Sequence, residues 1–190
     1  AIDLFCGAGG LTLGLKKAKF RVLVGIEINP IAAESYRANH NDVKCLEKDI
    51  RQLDPNKLRR TLKLKKGELS LLAGCPPCQG FSTLRTNKKT TSVEDERNDL
   101  LFEYLRFVKA FMPKALMMEN VPALIKDQRM ETLLREVKKL GYHVEEGSVQ
   151  IADAALYGVP QRRKRMILQI VKRGKILPAK QSVPVTVRTA

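Results

Sequence analysis

No apolar run in the chain approaches the ~20 residues needed to span a bilayer, so no membrane helix is expected. Histidine is scarce, with only His40 and His143, and there are four cysteines: Cys6, Cys45, Cys75 and Cys78. Cys75 and Cys78 form one Cys-x-x-Cys pair, but a second pair is missing and neither histidine is suitably spaced. A zinc site takes about four ligands, so no metal site is expected. Two disulfides are possible by count, yet 190 residues can bury a core unaided, and free thiols are expected. The sequence opens without Met, a basic region or a small-residue cleavage site, so export is not expected. Internal repeats and low-complexity tracts are also missing.

Acidic residues are few, 20 Asp+Glu against 35 Lys+Arg, for a formal net charge of +15. Such an excess favours a polyanionic partner, because each phosphate neutralised by Lys or Arg releases counterions. The stretch from Ile151 to Ala190 carries nine basic residues and one acidic residue, Asp153. Four of the nine are consecutive, Arg162–Arg165.

What is present reads as alternating strand and helix. "AIDLF" is a short buried strand, "CGAGG" a glycine turn and "LTLGLKKAK" a helix; "RVLVGIE" is a β-branched strand ending at Glu27. Asn29-Pro30 is an N-cap and first-turn pair opening a helix to about Asn39. "VKCL" is a third strand, with Asp49 placed at its end, and "ELSLLAG" a fourth that stops at the cysteine pair. Residues 80–98 are polar and without period, which predicts a long functional loop. Then come the helix "DLLFEYLRFVKAFM", the strand "KALMMENV", the amphipathic "RMETLLREVKKLG" with a glycine C-cap, and two strands, "YHVEEGSVQI" and "RMILQIVK". This order predicts an α/β fold, a mostly parallel sheet with helices on both faces, which binds ligands at the carboxyl ends of its strands.

The residues of chemical interest fall at those ends. In "DLFCGAGG" the glycines let backbone approach a ligand closely. Position 12 is Thr, so the spacing is not the Gly-x-Gly-x-x-Gly of a dinucleotide site, and no Gly-Lys-Ser/Thr follows for phosphate. Glu27 at a strand end can accept from both ribose hydroxyls, and Asp49 is in reach of an adenine edge. A nucleoside cofactor held without a phosphate grip follows, and S-adenosylmethionine fits. A tight turn packing helix on strand explains the glycines but not the two carboxylates. As for the cysteine pair, a thioredoxin-like redox motif belongs on a first strand–helix turn. With metal and redox readings disfavoured, a single nucleophile remains.

"DLFCGAGG", "PPCQGFS", "MMENVPALI" and "GVPQRRKR", in this order, resemble the signature motifs of the cytosine-C5 DNA methyltransferase family, from Ile2 to about Ile170. The resemblance implies the Rossmann-like fold of S-adenosylmethionine-dependent methyltransferases, with S-adenosylhomocysteine as the product of the cofactor. It implies duplex DNA as partner and no metal. Cys78 becomes the nucleophile, and Cys75 a residue packed at the strand end. Glu119 would hold a proton at cytosine N3, while Arg163 and Arg165 would steady the flipped base and the Glu119 region. Arg162 and Lys164, on the other side of an extended segment, would meet solvent or phosphate. Cofactor contacts are implied for Phe5, Gly7, Ala8, Gly9, Gly10, Leu11, Glu27, Ile28, Asp49, Ile50, Pro77 and Leu100. Substrate contacts are implied for Gln79, Ser82, Arg97, Asn120 and Gln161. The loop 80–98 matches the family's mobile catalytic loop, with Arg85, Lys88 and Lys89 among its cations.

The family continues past "QRRKR" into a target-recognition region and returns with a motif that completes the cofactor pocket. The expectation is therefore a catalytic core over residues 1–190, excised from a longer enzyme and without that region. An intracellular location follows: cytoplasm or nucleoid in a bacterium, nucleus in a eukaryote. One branch of the family sharing these motifs acts on tRNA, and an inert cofactor- or DNA-binding relative is a further alternative. Intact Cys78, Glu119 and Arg163 argue against an inert copy.

Overall fold

The computed structural model describes residues 1–77 and 100–184. Its sheet has seven strands: β1 (Ile2–Leu4), β2 (Val24–Glu27), β3 (Lys44–Glu47), β4 (Leu71–Gly74), β5 (Ala115–Asn120), β6 (Val149–Asp153) and β7 (Lys164–Val171). Their order across the sheet is β3-β2-β1-β4-β5-β7-β6. Every pairing from β3 to β5 is parallel, and β7 runs antiparallel to both β5 and β6. The chain winds outward from β1 to β3, then restarts at β4 on the other side of β1. Between β1 and β4 lies the reversal where such sheets open a crevice.

Helices α1 (Gly10–Lys17), α2 (Pro30–Asn39), α3 (Pro55–Thr61), α4 (Leu100–Phe111) and α5 (Gln128–Lys139) connect the strands. Side-chain alternation along the strands builds two cores. One face sends Ile2, Leu4, Val24, Ile26, Leu72, Leu116 and Met118 against α4 and α5; the other sends Leu71 and Ala73 into a cluster with Leu15 of α1 and Tyr36 of α2. The predicted helices on both faces are therefore observed. Helix α4 buries Leu101, Tyr104, Leu105, Phe107, Val108 and Phe111, and each large apolar side chain so buried stabilises by ~1.5–3 kcal/mol. The Tyr104 hydroxyl bridges the Leu72 and Met117 carbonyls at 3.1 and 3.2 Å, tying α4 to β4 and β5.

Three differences from the expected elements have local causes. Helix α3 was not foreseen, although Asp54-Pro55 repeats the logic of Asn29-Pro30: the Asp54 carboxylate accepts from the Asn56 and Lys57 N–H groups, with Pro at the first turn. Asp49 does not end β3, which stops at Glu47; its side chain instead caps a 3₁₀ turn, accepting from Arg51 N–H at 2.9 Å. The expected strand over 142–151 begins only at Val149 and runs on to Asp153. Before it, the Glu145 N–H donates to Ser148 Oγ at 2.8 Å and the Ser148 N–H donates to the Glu145 carbonyl, closing a turn instead of joining the ladder. Only His143 makes an isolated bridge, to Val171.

Candidate functional site

At the carboxyl end of the sheet, strand ends β1, β2 and β4 meet the turn after β3 around a cavity of about 450 Å3. Its lining includes Phe5, Glu27, Ile28, Asp49, Ile50, Pro77 and Leu100, all among the sequence-predicted cofactor residues. Ile26, Lys48, Arg51 and Cys75 line it as well and were not anticipated, although each neighbours a predicted residue or ends a strand. Gly7, Ala8, Gly9, Gly10 and Leu11 do not form its wall; they shape the turn that carries Phe5.

That turn is geometrically demanding. Phe5 and Gly7 take left-handed backbone (φ 59 and 54), and Gly9 caps α1 at φ 99. A Cβ on Gly9 would fall 2.3 Å from the ring of His40, whose Nε2 lies 2.9 Å from the Gly9 carbonyl oxygen. His40 is thus a buried packing residue and His143 an exposed one, neither part of the site. At Gly7 a Cβ would meet nothing within 4 Å, so the backbone there faces open space.

Glu27 is held by main chain. Its Oε2 accepts from Gly7 N–H at 2.9 Å, and its Oε1 from Ile28 and Asn29 N–H at 3.0 and 2.8 Å. Three of a carboxylate's roughly four acceptor positions are then filled. Fewer remain for ribose than the two that the sequence suggested. Asp49 is gripped by the Arg51 guanidinium, with Nε at 3.0 Å and Nη2 at 2.7 Å from Oδ2. That side-chain bond holds the Asp49 carboxyl below its ordinary value.

Beneath the turn lies a polar cluster that the sequence reading missed. Asp3 on β1 is fully buried, and its Oδ2 accepts from the Thr12 hydroxyl at 2.7 Å. Thr12 Oγ1 also lies 2.8 Å from the Tyr36 hydroxyl. The Thr that breaks the dinucleotide spacing is the residue that partners Asp3. Burial pushes the Asp3 carboxyl up to about 7, partly countered by the Thr12 bond and reinforced by the nearby Glu27 charge.

The second half of the site stands at the end of β5. Register pairs Glu119 with Ile167 and Asn120 with Met166 on β7. Arg165 Nε reaches Glu119 Oε1 at 2.9 Å. Asn120 is buried and donates from Nδ2 to the Pro76 carbonyl at 2.8 Å, fixing the chain that leaves β4 beside the end of β5. Cys75 lies there too; burial, then the Glu119 charge, push its thiol well above the ordinary range. Cys6, Cys45 and Cys75 are all free thiols.

Arg163 is not brought to Glu119. Its N–H donates to Asp153 Oδ1 at 3.0 Å, and its side chain is exposed and without a partner among the described residues. Strand β7 begins only at Lys164, so alternation between faces does not extend back to Arg162 and Arg163, both exposed. Gln161 is exposed in the preceding turn, its N–H donating to the Val159 carbonyl. Cys78, Gln79, Ser82 and Arg97, with the rest of the predicted loop, lie outside the described residues. Among the described residues no helix is long and apolar enough to cross a membrane, and no cluster of three His, Cys, Asp or Glu is placed to hold a metal ion.

Comparison with known proteins bears on this arrangement. The sequence pattern of the family described as C-5 cytosine-specific DNA methylase matches residues 1–187. The Type II methyltransferase M.AgeI of Thalassovita gelatinovora is 38% identical over 170 residues, which are 88% of this chain and 38% of that protein. M.AquIA of Picosynechococcus is 33% identical over 185 residues, 92% of this chain and 72% of that protein. Among solved structures, a protein encoded within an Escherichia coli prophage superposes with a TM-score of 0.75 at 28% identity, covering 99% of this chain and 53% of that one. Spodoptera frugiperda DNMT2 has a TM-score of 0.72 at 20% identity over 96% of this chain and 56% of that one, a likeness of fold. The chain spans about two fifths of the length of the first curated relatives it matches.

Proposed function

This chain belongs to the C-5 cytosine-specific DNA methylase family, and we propose that residues 1–190 carry the core that transfers a methyl group from S-adenosylmethionine to carbon 5 of cytosine in duplex DNA. The observation that carries the reading is the junction at the ends of β4 and β5. Asn120 pins the Pro76 carbonyl and holds the chain that leaves β4 near the Glu119–Arg165 pair, two residues ahead of Cys78 in the sequence, which supports the reading. Addition to a pyrimidine ring requires a nucleophile and a carboxyl group acting together, and in this reading Cys78 and Glu119 supply them.

The cavity fits the cofactor's nucleoside. Its walls are apolar at Phe5, Ile28, Ile50 and Leu100, carboxylates stand at Glu27 and Asp49, and the backbone at Gly7 opens into free space. In this reading Glu27 would keep one acceptor position for a ribose hydroxyl, Asp49 would take the adenine edge, and Pro77 and Leu100 would supply apolar wall to the nucleoside. When bound, S-adenosylmethionine supplies an electrophilic methyl on a sulfonium.

The chain's own residues activate the base. Carbon 5 of cytosine is a poor nucleophile. The Cys78 thiolate adds to carbon 6, and Glu119 holds a proton at N3 as electron density moves into the ring, giving an enamine-like species. Arg165, bonded to Glu119, keeps that carboxyl turned toward the base. Carbon 5 takes the methyl group, its proton is removed, and the carbon 6–sulfur bond breaks to release Cys78. Burial and the Glu119 charge leave Cys75 a thiol, so it takes no part.

The test is methyl transfer by the complete protein from labelled S-adenosylmethionine to duplex DNA and, separately, to tRNA. Label in DNA cytosine supports the reading. Label confined to tRNA would move the protein to the other branch of the family, and label in neither would leave a binding domain.

A further inference from the structure

The net charge of +15 favours a polyanionic partner, and much of that charge lies away from the cavity. The segments at the opposite edge of the sheet, where strands begin, are residues 62–70 ahead of β4, 112–114 ahead of β5 and 171–175 after β7. Together they hold seven Lys or Arg and one carboxylate, Glu68. Hydrogen bonds join them into one surface: Gly67 N–H to the Phe111 carbonyl at 2.8 Å, Lys114 N–H to Leu69 at 2.8 Å, and Lys172 N–H to Lys114 at 2.9 Å. Lys63, Lys65, Lys66, Lys114, Arg173 and Lys175 are exposed and make no ion pair among the described residues. The α1–β2 turn extends the surface with Lys17, Lys19 and Arg21, all exposed. Of the other acids near this edge, Glu136 is paired with Lys109 and Lys139, Asp42 is bonded to Lys16 near β3, and Glu145 and Glu146 lie near β6.

Two ordinary explanations fall short. Cations favour helix C-termini through the macrodipole, which covers Lys17 but not Lys65, Lys66, Lys114, Arg173 or Lys175. Solubility needs mixed charge rather than unpaired cations crowded on one edge. Lys19 and Lys63 also follow helix ends in left-handed backbone (φ 65 and 56), positions where glycine is the unstrained choice.

We infer that this edge is a second, sequence-independent binding surface for the phosphate backbone of duplex DNA, remote from the catalytic end of the sheet. The inference rests on the placement of charge and stands apart from the catalytic reading. Within the three segments none of the large hydrophobic residues is exposed, which disfavours stacking of single-stranded bases or an apolar protein contact. Lys and Arg without base-reading geometry hold DNA by counterion release alone.

The experiment maps lysine acetylation by mass spectrometry on the full protein, free and with a short duplex of arbitrary sequence. It is paired with duplex affinity at several salt concentrations for the wild type and for Lys65→Ser/Lys66→Ser/Lys175→Ser. Protection at Lys63, Lys65, Lys66, Lys114 and Lys175 is expected. The triple variant should lower the slope of log affinity against log salt by about 2.7, at ~0.9 per phosphate contact, while its melting transition stays in place. Protection confined to the catalytic edge, or an unchanged slope, would overturn the inference. Equal protection of these lysines by polyglutamate would also overturn it, assigning the edge to acidic polypeptide.

Discussion

Asp3 makes an unusual demand on the fold, because the interior strand β1 carries an acid with no exposure and only one of its two oxygens, Oδ2, hydrogen-bonded. Its carboxyl is raised from 3.8 to about 7, mainly by burial. The folded state therefore keeps a proton that the unfolded chain has already released. Between those two values stability falls as pH rises, and above about 7 the loss is complete, at roughly 4 kcal/mol. Asp3→Asn keeps an oxygen for the Thr12 hydroxyl and removes the titration. Its unpaired amide N–H costs ~1–3 kcal/mol at every pH. The informative quantity is the change, between pH 5 and pH 8, in the unfolding free-energy difference of variant and wild type. That change should favour the variant by roughly 2–3 kcal/mol on the same linkage. Urea titrations at the two pH values measure it, and groups other than Asp3 cancel between the proteins. Equal pH slopes in both proteins would refute the reasoning, since Asp3 would then ionise in the fold without penalty.

Glu27→Ala should weaken S-adenosylmethionine binding by roughly 1.5–3 kcal/mol by calorimetry, with part recovered in Glu27→Gln, whose amide oxygen can still accept; unchanged affinity would confine Glu27 to pinning the Gly7 turn. Glu119→Gln should lower methyl transfer by about 10²–10⁴-fold, and Arg165→Met should add nothing in that background if Arg165 acts only by positioning Glu119. Additive losses would give Arg165 a separate contact. Alkylation at pH 8 should spare Cys6 and Cys75 in the folded protein, both thiols being raised chiefly by burial, and reach them after unfolding in urea. Rapid labelling of folded Cys75 would contradict its place beside Glu119.

The winding of the sheet was legible because each strand is a short apolar run and each crossover a periodic one. Glu27 and Glu119 were legible for the same reason, each being the polar residue that stops such a run. Helix α3 was hidden by its shortness and basic composition, which mask Leu58 and the C-cap residue Leu62, though both pack on the core. The Asp3–Thr12–Tyr36 cluster could not be read from pattern. A buried acid looks like any polar residue in a strand until its distant partner is known, and Tyr36 comes from another helix. The clamp of Arg51 on Asp49 is a matter of side-chain reach two residues along. The separation of Arg163 from Glu119 turns on where β7 starts, and Asp153 decides that by fixing the Arg163 N–H.

The central claim is the proposal that Cys78 forms a bond to cytosine. Duplex DNA containing 5-fluorocytosine tests it, because fluorine cannot leave as a proton does and the adduct persists. Incubated with S-adenosylmethionine and analysed under denaturing conditions, the wild type and Cys75→Ala should both become covalently attached to DNA, and Cys78→Ala should not. An adduct that survives in Cys78→Ala but disappears in Cys75→Ala would contradict the account.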